Sequence, residues 1–167
     1  MRRKDREVTD LQQIEQIIAG CKVCHVAMAD QGMPYIVPMN FGYEMEGDEL
    51  TLYFHCAKEG RKLDILKKND NVCFELCIEG EPVYAKETPC NSGYFYQSVI
   101  GNGKMVVVSD VQEKCKGLSL LLKQAAEADV FFGKEQADTV CVLKITSRDF
   151  TGKKKQPPEG SVQPSNS

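Results

Sequence analysis

The stretch Leu52-Tyr-Phe-His-Cys-Ala-Lys-Glu-Gly-Arg-Lys-Leu63 runs from a strand-like apolar segment through a turn into the start of a helix. Four basic side chains gather around that helix start: His55, Lys58, Arg61 and Lys62. A helix start offers free backbone N–H groups, and guanidinium and ammonium groups donate charge-assisted hydrogen bonds to phosphoryl oxygens. The stretch therefore predicts a phosphate-binding pocket. The alternative interpretation is a basic helix face that only meets water.

The composition indicates one globular domain. The chain has 167 residues, of which 42% are hydrophobic and 27% charged, and its length is close to the usual prior of about 150 residues per domain. No apolar run approaches the roughly 20 residues needed to cross a bilayer, and the basic N-terminus leads into further charged residues. We therefore expect a cytoplasmic protein with no membrane partner. A net charge of -3 without a basic patch argues against nucleic acid as a partner.

The chain contains eight cysteines, and Cys21-Lys-Val-Cys24-His25 fits the C-x-x-C-H pattern of covalent haem attachment. In an extended strand, residues three apart point to opposite faces, so Cys21 and Cys24 could not chelate one ion there. Cys73 and Cys77 are interpreted as thiols that fill the core. We expect reduced thiols and no metal site.

Helices are predicted from capping boxes and apolar stripes. Thr9-Asp-Leu-Gln12 and Asp110-Val-Gln-Glu113 are the two capping boxes, and a short helix is expected over residues 60–69. The expected buried faces consist of Leu11, Ile14, Ile17 and Ile18 in the first helix and of Leu118, Leu121, Leu122 and Ala125 in the last.

Strands are predicted where β-branched and aromatic residues alternate between turn residues. The predicted strands are 22–28, 35–43, 50–55, 71–78, 94–108 and 139–150, with a connecting loop over 79–93. Hairpins dominate this order, which is typical of an α+β antiparallel barrel of about six strands with peripheral helices. The residues after Thr151 are polar and rich in Lys, Pro and Ser, so a disordered tail is expected.

Three segments together resemble the pyridoxamine 5'-phosphate oxidase-like, FMN-binding split-barrel proteins, and most closely their nitroimidazole-resistance (Nim-type) subgroup. They are Tyr35-Ile-Val-Pro-Met-Asn-Phe-Gly-Tyr43, the opening stretch with Asn71-Val-Cys-Phe74, and Tyr96-Gln-Ser-Val-Ile-Gly-Asn-Gly103. The resemblance implies an antiparallel six- to seven-stranded split β-barrel over residues 1–152, with 153–167 as the disordered tail. It also implies FMN as the cofactor and a homodimer that holds the flavin at the subunit interface.

The resemblance implies roles for particular residues. Those that would run past the pyrimidine side of the flavin are Pro38, Met39, Asn40 and Phe41. His55 and Cys56 would begin the turn that carries Lys58 toward the phosphate, Arg61 and Lys62 would hold the phosphate, and the strand that lines the flavin would supply Ser98, Val99 and Gly101. Each residue has a structural alternative: a barrel edge for Pro38, relief of strand curvature for Gly101, and a core histidine for His55.

The leading functional hypothesis is an FMN-dependent reductase that passes electrons from NAD(P)H to a small acceptor such as a nitroaromatic. His55 is the candidate for orienting the substrate or donating a proton. The chain lacks the C-terminal substrate-binding segment of true pyridoxamine phosphate oxidases, so vitamin B6 oxidation is not expected. Two alternatives stay open: a flavin-binding or redox-sensing protein without turnover, and a haem-binding split barrel with His25 or His55 as axial ligand.

Overall fold

The structure is a computed structural model that describes residues 3–84 and 88–155. The strands are β1 (Glu7–Val8), β2 (Cys24–Asp30), β3 (Met33–Met39), β4 (Gly42–Glu46), β5 (Glu49–Cys56), β6 (Asn71–Val83), β7 (Gly93–Val107) and β8 (Cys141–Lys155). The helices are α1 (Leu11–Gly20), α2 (Arg61–Leu66), α3 (Val111–Ala126) and α4 (Lys134–Ala137). Among the helices so described, none is long and apolar enough to span a membrane.

All strand pairs are antiparallel, and neighbours follow the order β3-β2-β6-β7-β8-β5-β4, with the short β1 paired to β8. The predicted α+β antiparallel fold with peripheral helices is confirmed. The two strands at the ends of this path, β3 and β4, are consecutive in the chain, and only Asn40 and Phe41 join them. The sequence had predicted one strand over 35–43, which is wrong because β3 pairs with β2 whereas β4 pairs with β5.

Strand β5 is buried on both of its faces. Leu52 and Phe54 face the main core, which also contains the buried side of α1, while Tyr53 between them faces a second cluster under α3. Side chains alternate across a strand, so a continuous apolar run fits a strand covered on both sides. Gly117 lets α3 approach closely, because a Cβ there would lie 2.7 Å from the Tyr53 ring.

Two strands are longer than the sequence predicted. Strand β6 extends into the expected loop 79–93, and after an irregularity the ladder resumes with Pro82 opposite Tyr94. Strand β8 continues to Lys155, so residues 153–155 belong to the sheet rather than to the predicted tail. The extension was not predicted because its side chains are polar. It pairs nevertheless, because the ladder uses backbone groups that every residue but proline supplies. The rest of the predicted tail, 156–167, lies outside the described residues.

The helix caps were predicted with partial success. Asp10 rather than Thr9 caps α1, accepting hydrogen bonds from the backbone N–H groups of Gln12 and Gln13. Asp110 caps α3 as predicted. The expected buried faces are correct for their central residues, whereas Leu11 and Ala125 are exposed.

The cysteine expectations also need correction. Cys21 follows α1 as its C-cap rather than lying in a strand, and it is buried together with Cys24, the first residue of β2. Burial raises the pKa of Cys21 to about 12. Cys73 and Cys77 are only partly buried, because Val72 and its alternate neighbours on β6 are the residues that face the core.

Candidate functional site

The predicted site lies where the chain passes from β3 to β4, beside the end of β5. Gly42 pairs with Tyr53, and continuing that register brings Asn40 to the level of His55. The Asn40 side-chain amide donates a hydrogen bond of 3.4 Å to the carbonyl oxygen of Lys22, which holds the connecting segment against the start of β2. The link between β3 and β4 therefore runs beside the end of β5.

The turn from β5 to α2 is open at the helix N-terminus. Gly60 is the N-cap with φ 135° and ψ 167°, and no described side chain hydrogen-bonds to this end of the helix. A Cβ added at Gly60 would meet nothing within 4 Å, so glycine is required here by the backbone conformation and not by crowding. The N-cap residue therefore places no side chain in front of the first backbone N–H groups of α2.

Arg61, the first residue of α2, is held above the end of β2. Its Nη2 and Nε atoms lie 3.2 and 3.4 Å from Oδ2 of Asp30, and its guanidinium carbon lies 4.4 Å from the centroid of the Tyr35 ring. The Arg61 side chain is nevertheless 58% exposed. An exposed ion pair of this kind contributes about 0–1 kcal/mol, so Asp30 orients the guanidinium without holding it strongly.

The neighbouring lysines are available for an anion. Neither Lys58 nor Lys62 forms an ion pair with a residue of the described ranges 3–84 and 88–155. Burial, followed by the nearby Cys141, raises the pKa of the Cys56 thiol, and the ammonium group of Lys62 opposes this shift. Lys62 thus lies near Cys56 at the end of β5.

The remaining predicted residues differ in their exposure. His55 is exposed, so it is not a core histidine. Pro38 and Asn40 are also exposed, whereas Met39 and Phe41 belong to the core. The side chains of Met39 and Phe41 therefore pack inward, and only their backbone remains for contact with a ligand.

Within one chain, β7 stands apart from β3, because β2 and β6 lie between the two strands. Val99 is fully buried and Ser98 is 7% exposed. A Cβ at Gly101 would lie 2.3 Å from Cζ of Phe74, so this glycine is required by core packing. The outward side of β7 at this level presents Ile100, which is 48% exposed.

A cavity lies elsewhere in the described part of the chain. It has a volume of about 730 Å³ and is lined by residues from β2, β6, β7 and β8, including Cys73, Asn102 and Asp149. None of the predicted site residues lines it. The cations around the start of α2 match the predicted phosphate chemistry, so they define the candidate site.

Two contributors to the site were missed by the sequence analysis. Asp30 was given no role in the site, and Tyr35 was named only within a predicted strand and a segment that resembles the family, yet both contact Arg61. Asp30 is 31 positions from Arg61, so no local sequence signal could have paired them.

Comparison with known proteins places the chain in a family. The family model described as pyridoxamine 5'-phosphate oxidase matches residues 10–154. The chain belongs to this pyridoxamine 5'-phosphate oxidase-like split-barrel family. No curated protein gives a significant sequence match.

Solved structures narrow the assignment. A protein from Bacteroides thetaiotaomicron whose proposed role is 5-nitroimidazole antibiotic resistance is 32% identical, with a TM-score of 0.75 over 88% of this chain and 85% of that one. Together with the family match, this similarity supports the Nim-type subgroup.

More distant structures share the fold alone. The flavocytochrome Anf3 from Azotobacter vinelandii is 21% identical, with a TM-score of 0.76 over 95% of this chain and 73% of that one. The FAD and haem binding protein from Mycobacterium smegmatis is 18% identical, with a TM-score of 0.74 over 93% of this chain and 77% of that one.

Proposed function

We propose that this protein binds FMN and acts as an oxidoreductase that passes electrons from NAD(P)H to a small acceptor, with a nitroaromatic as the candidate acceptor class. The observation that carries the proposal is the group of cations around the start of α2, where Arg61 lies against Asp30 and Tyr35 of the β2–β3 hairpin and Lys62 lies near the end of β5. The match to the 5-nitroimidazole resistance protein supports the choice of acceptor.

The donor set fits a terminal phosphate. A phosphate dianion accepts hydrogen bonds from backbone N–H groups at a helix start and from guanidinium and ammonium groups. Gly60 leaves that space clear, and Arg61, Lys62 and Lys58 supply the positive charge. The exposed Pro38 and Asn40 and the backbone of their neighbours would then border the ring system.

A homodimer would complete the site. One protomer presents α2 and the end of β3, whereas Ser98, Val99 and Gly101 lie on a strand that its own sheet order keeps apart from them. A second copy would bring its β7 next to the cations around α2. The exposed Ile36 and Ile100, 60% and 48% accessible, provide apolar surface for such an interface.

The chemistry would be divided between cofactor and protein. When bound, FMN supplies hydride acceptance and onward electron transfer. The protein contributes placement through the cations of α2 and shielding from water at the dimer interface. His55 is exposed at the end of β5, where it can orient an acceptor or give it a proton.

The test is a visible spectrum of the purified protein, with mass spectrometry of any released cofactor, followed by anaerobic addition of NADH or NADPH. We expect a yellow protein that releases FMN, is bleached by one of the two donors and is reoxidised by a nitroimidazole. Release of FAD would correct the cofactor, and a Soret band would support the haem alternative. A flavin that neither donor bleaches would leave a flavin-binding or redox-sensing protein without turnover.

A further inference from the structure

Two cysteines face each other at the end of a strand pair. Cys56, the last residue of β5, is the register partner of Cys141, the first residue of β8. In the other ladders of the described residues, Cys24, Cys73 and Cys77 have partners other than cysteine. Directly opposed residues on antiparallel strands project to the same face, with Cα atoms about 4.5–5.5 Å apart. Disulfides span Cα separations of about 4.4–6.8 Å, so the backbone already suits a bond between these two.

The position of the pair allows a disulfide to form with little disturbance of the sheet. Opposed Cβ atoms lie about 4.5–5.5 Å apart in a ladder, and a disulfide needs about 3.5–4.5 Å. Cys56 and Cys141 form the terminal rung of the β5–β8 ladder, so an approach of about an ångström disturbs no rung beyond them. Both thiols are partly exposed, in contrast to the buried Cys21 and Cys24, and a small oxidant can reach them.

We propose that Cys56 and Cys141 are a modification site at which thiol–disulfide exchange forms a reversible intramolecular disulfide. The oxidant is a low-molecular-weight disulfide. The thiolate of one cysteine attacks it, forming a mixed disulfide and releasing one small thiol, and the second cysteine then displaces the other. Two protein thiols are oxidised to one disulfide, and one small disulfide is reduced to two thiols.

The bond would tie the base of the β5–α2 turn to β8, because Cys56 directly precedes the residues that lead to α2. The two thiols are close enough to interact, because Cys141 contributes to the raised pKa of Cys56. Formation of the bond does not depend on the protein being a flavoprotein, so this inference stands apart from the proposed function.

The test uses the full chain, equilibrated in buffers of glutathione and glutathione disulfide, quenched with an alkylating agent and digested for peptide mass mapping. We expect a cross-linked peptide that joins Cys56 to Cys141, an intact mass lower by two hydrogens, and reversal by dithiothreitol. Cys56→Ser and Cys141→Ser each abolish the cross-link. Cys73→Ser is the matched control, because this partly buried strand cysteine faces no other cysteine, and it retains the cross-link.

Several results would overturn the proposal. They are free Cys56 and Cys141 in glutathione disulfide alone, two separate mixed disulfides with glutathione, or a bond from either residue to a different cysteine. The wild-type mass measurement decides this without reliance on the folding of any variant.

Discussion

Replacing Arg61 by alanine tests the phosphate assignment directly. A charge-assisted hydrogen bond to phosphate contributes about 1.5–3 kcal/mol, whereas the ion pair with Asp30 that the guanidinium would give up contributes about 0–1 kcal/mol. The difference, about 0.5–3 kcal/mol, corresponds to a Kd for FMN raised roughly 2- to 150-fold. Because the Arg61 side chain is 58% exposed, the free energy of unfolding should change by less than about 1 kcal/mol.

The assay is titration of FMN fluorescence with apoprotein at two salt concentrations. Lys67→Ala is the matched control: it removes a cation next to the end of α2 that pairs with Asp64 at 3.0 Å, and it should leave the Kd unchanged. Arg61→Lys should give an intermediate Kd, because it keeps the charge and loses the planar pair of donors.

A substitution of Asp30 should have the opposite effect on the affinity for FMN. Asp30→Asn removes the competing carboxylate and should tighten FMN binding by up to about fivefold.

If Arg61→Ala binds FMN within twofold of the wild type while its melting temperature is unchanged, the cation does not hold the phosphate and the assignment is refuted.

Three further predictions concern the scaffold. Gly101→Ala places a Cβ 2.3 Å from Phe74 Cζ and should lower the free energy of unfolding in urea by about 1–3 kcal/mol; an unchanged midpoint would contradict the packing role. Tyr53→Phe removes the hydroxyl that donates to Glu44 Oε1 at 3.0 Å and should cost about 1 kcal/mol in the same assay, with no loss if the hydroxyl is dispensable. The pKa of Cys21 rises from 9.0 to about 12 on folding. The contribution of this thiol to the free energy of unfolding is therefore full below pH 9 and declines by about 1.4 kcal/mol per pH unit between the two pKa values. Cys21→Ala should flatten that alkaline decline, and an identical slope would show that this thiol does not titrate on unfolding.

The sequence predicted the elements whose signals are local. The alternation of β-branched residues gave most of the strands, and Asp110 marked the start of α3 as expected. The break at Asn40 and Phe41 was missed because it carries no glycine or proline and arises from a change of pairing partner. Pairing partners are set by tertiary structure, which overrides local propensity.

The candidate site shows the same division. The basic cluster at residues 58–62 was visible from sequence, and the structure keeps it at one open helix start. The approach of Asp30 and Tyr35 to Arg61 depends on how α2 packs against β2. The burial of Val99 also depends on the sheet order, which places β7 between β6 and β8.

The two-residue link between β3 and β4 has a consequence for how this protein limits the pairing of its edge strands with other molecules. Strands at the margin of a sheet expose unpaired N–H and C=O groups, which can recruit strands from other molecules. Here the two strands at the margins of the sheet are consecutive in the chain. A short covalent link therefore holds together two edges that no hydrogen-bond ladder joins. Lengthening this link with several flexible residues should free both margins and turn a self-contained barrel into one prone to domain swapping.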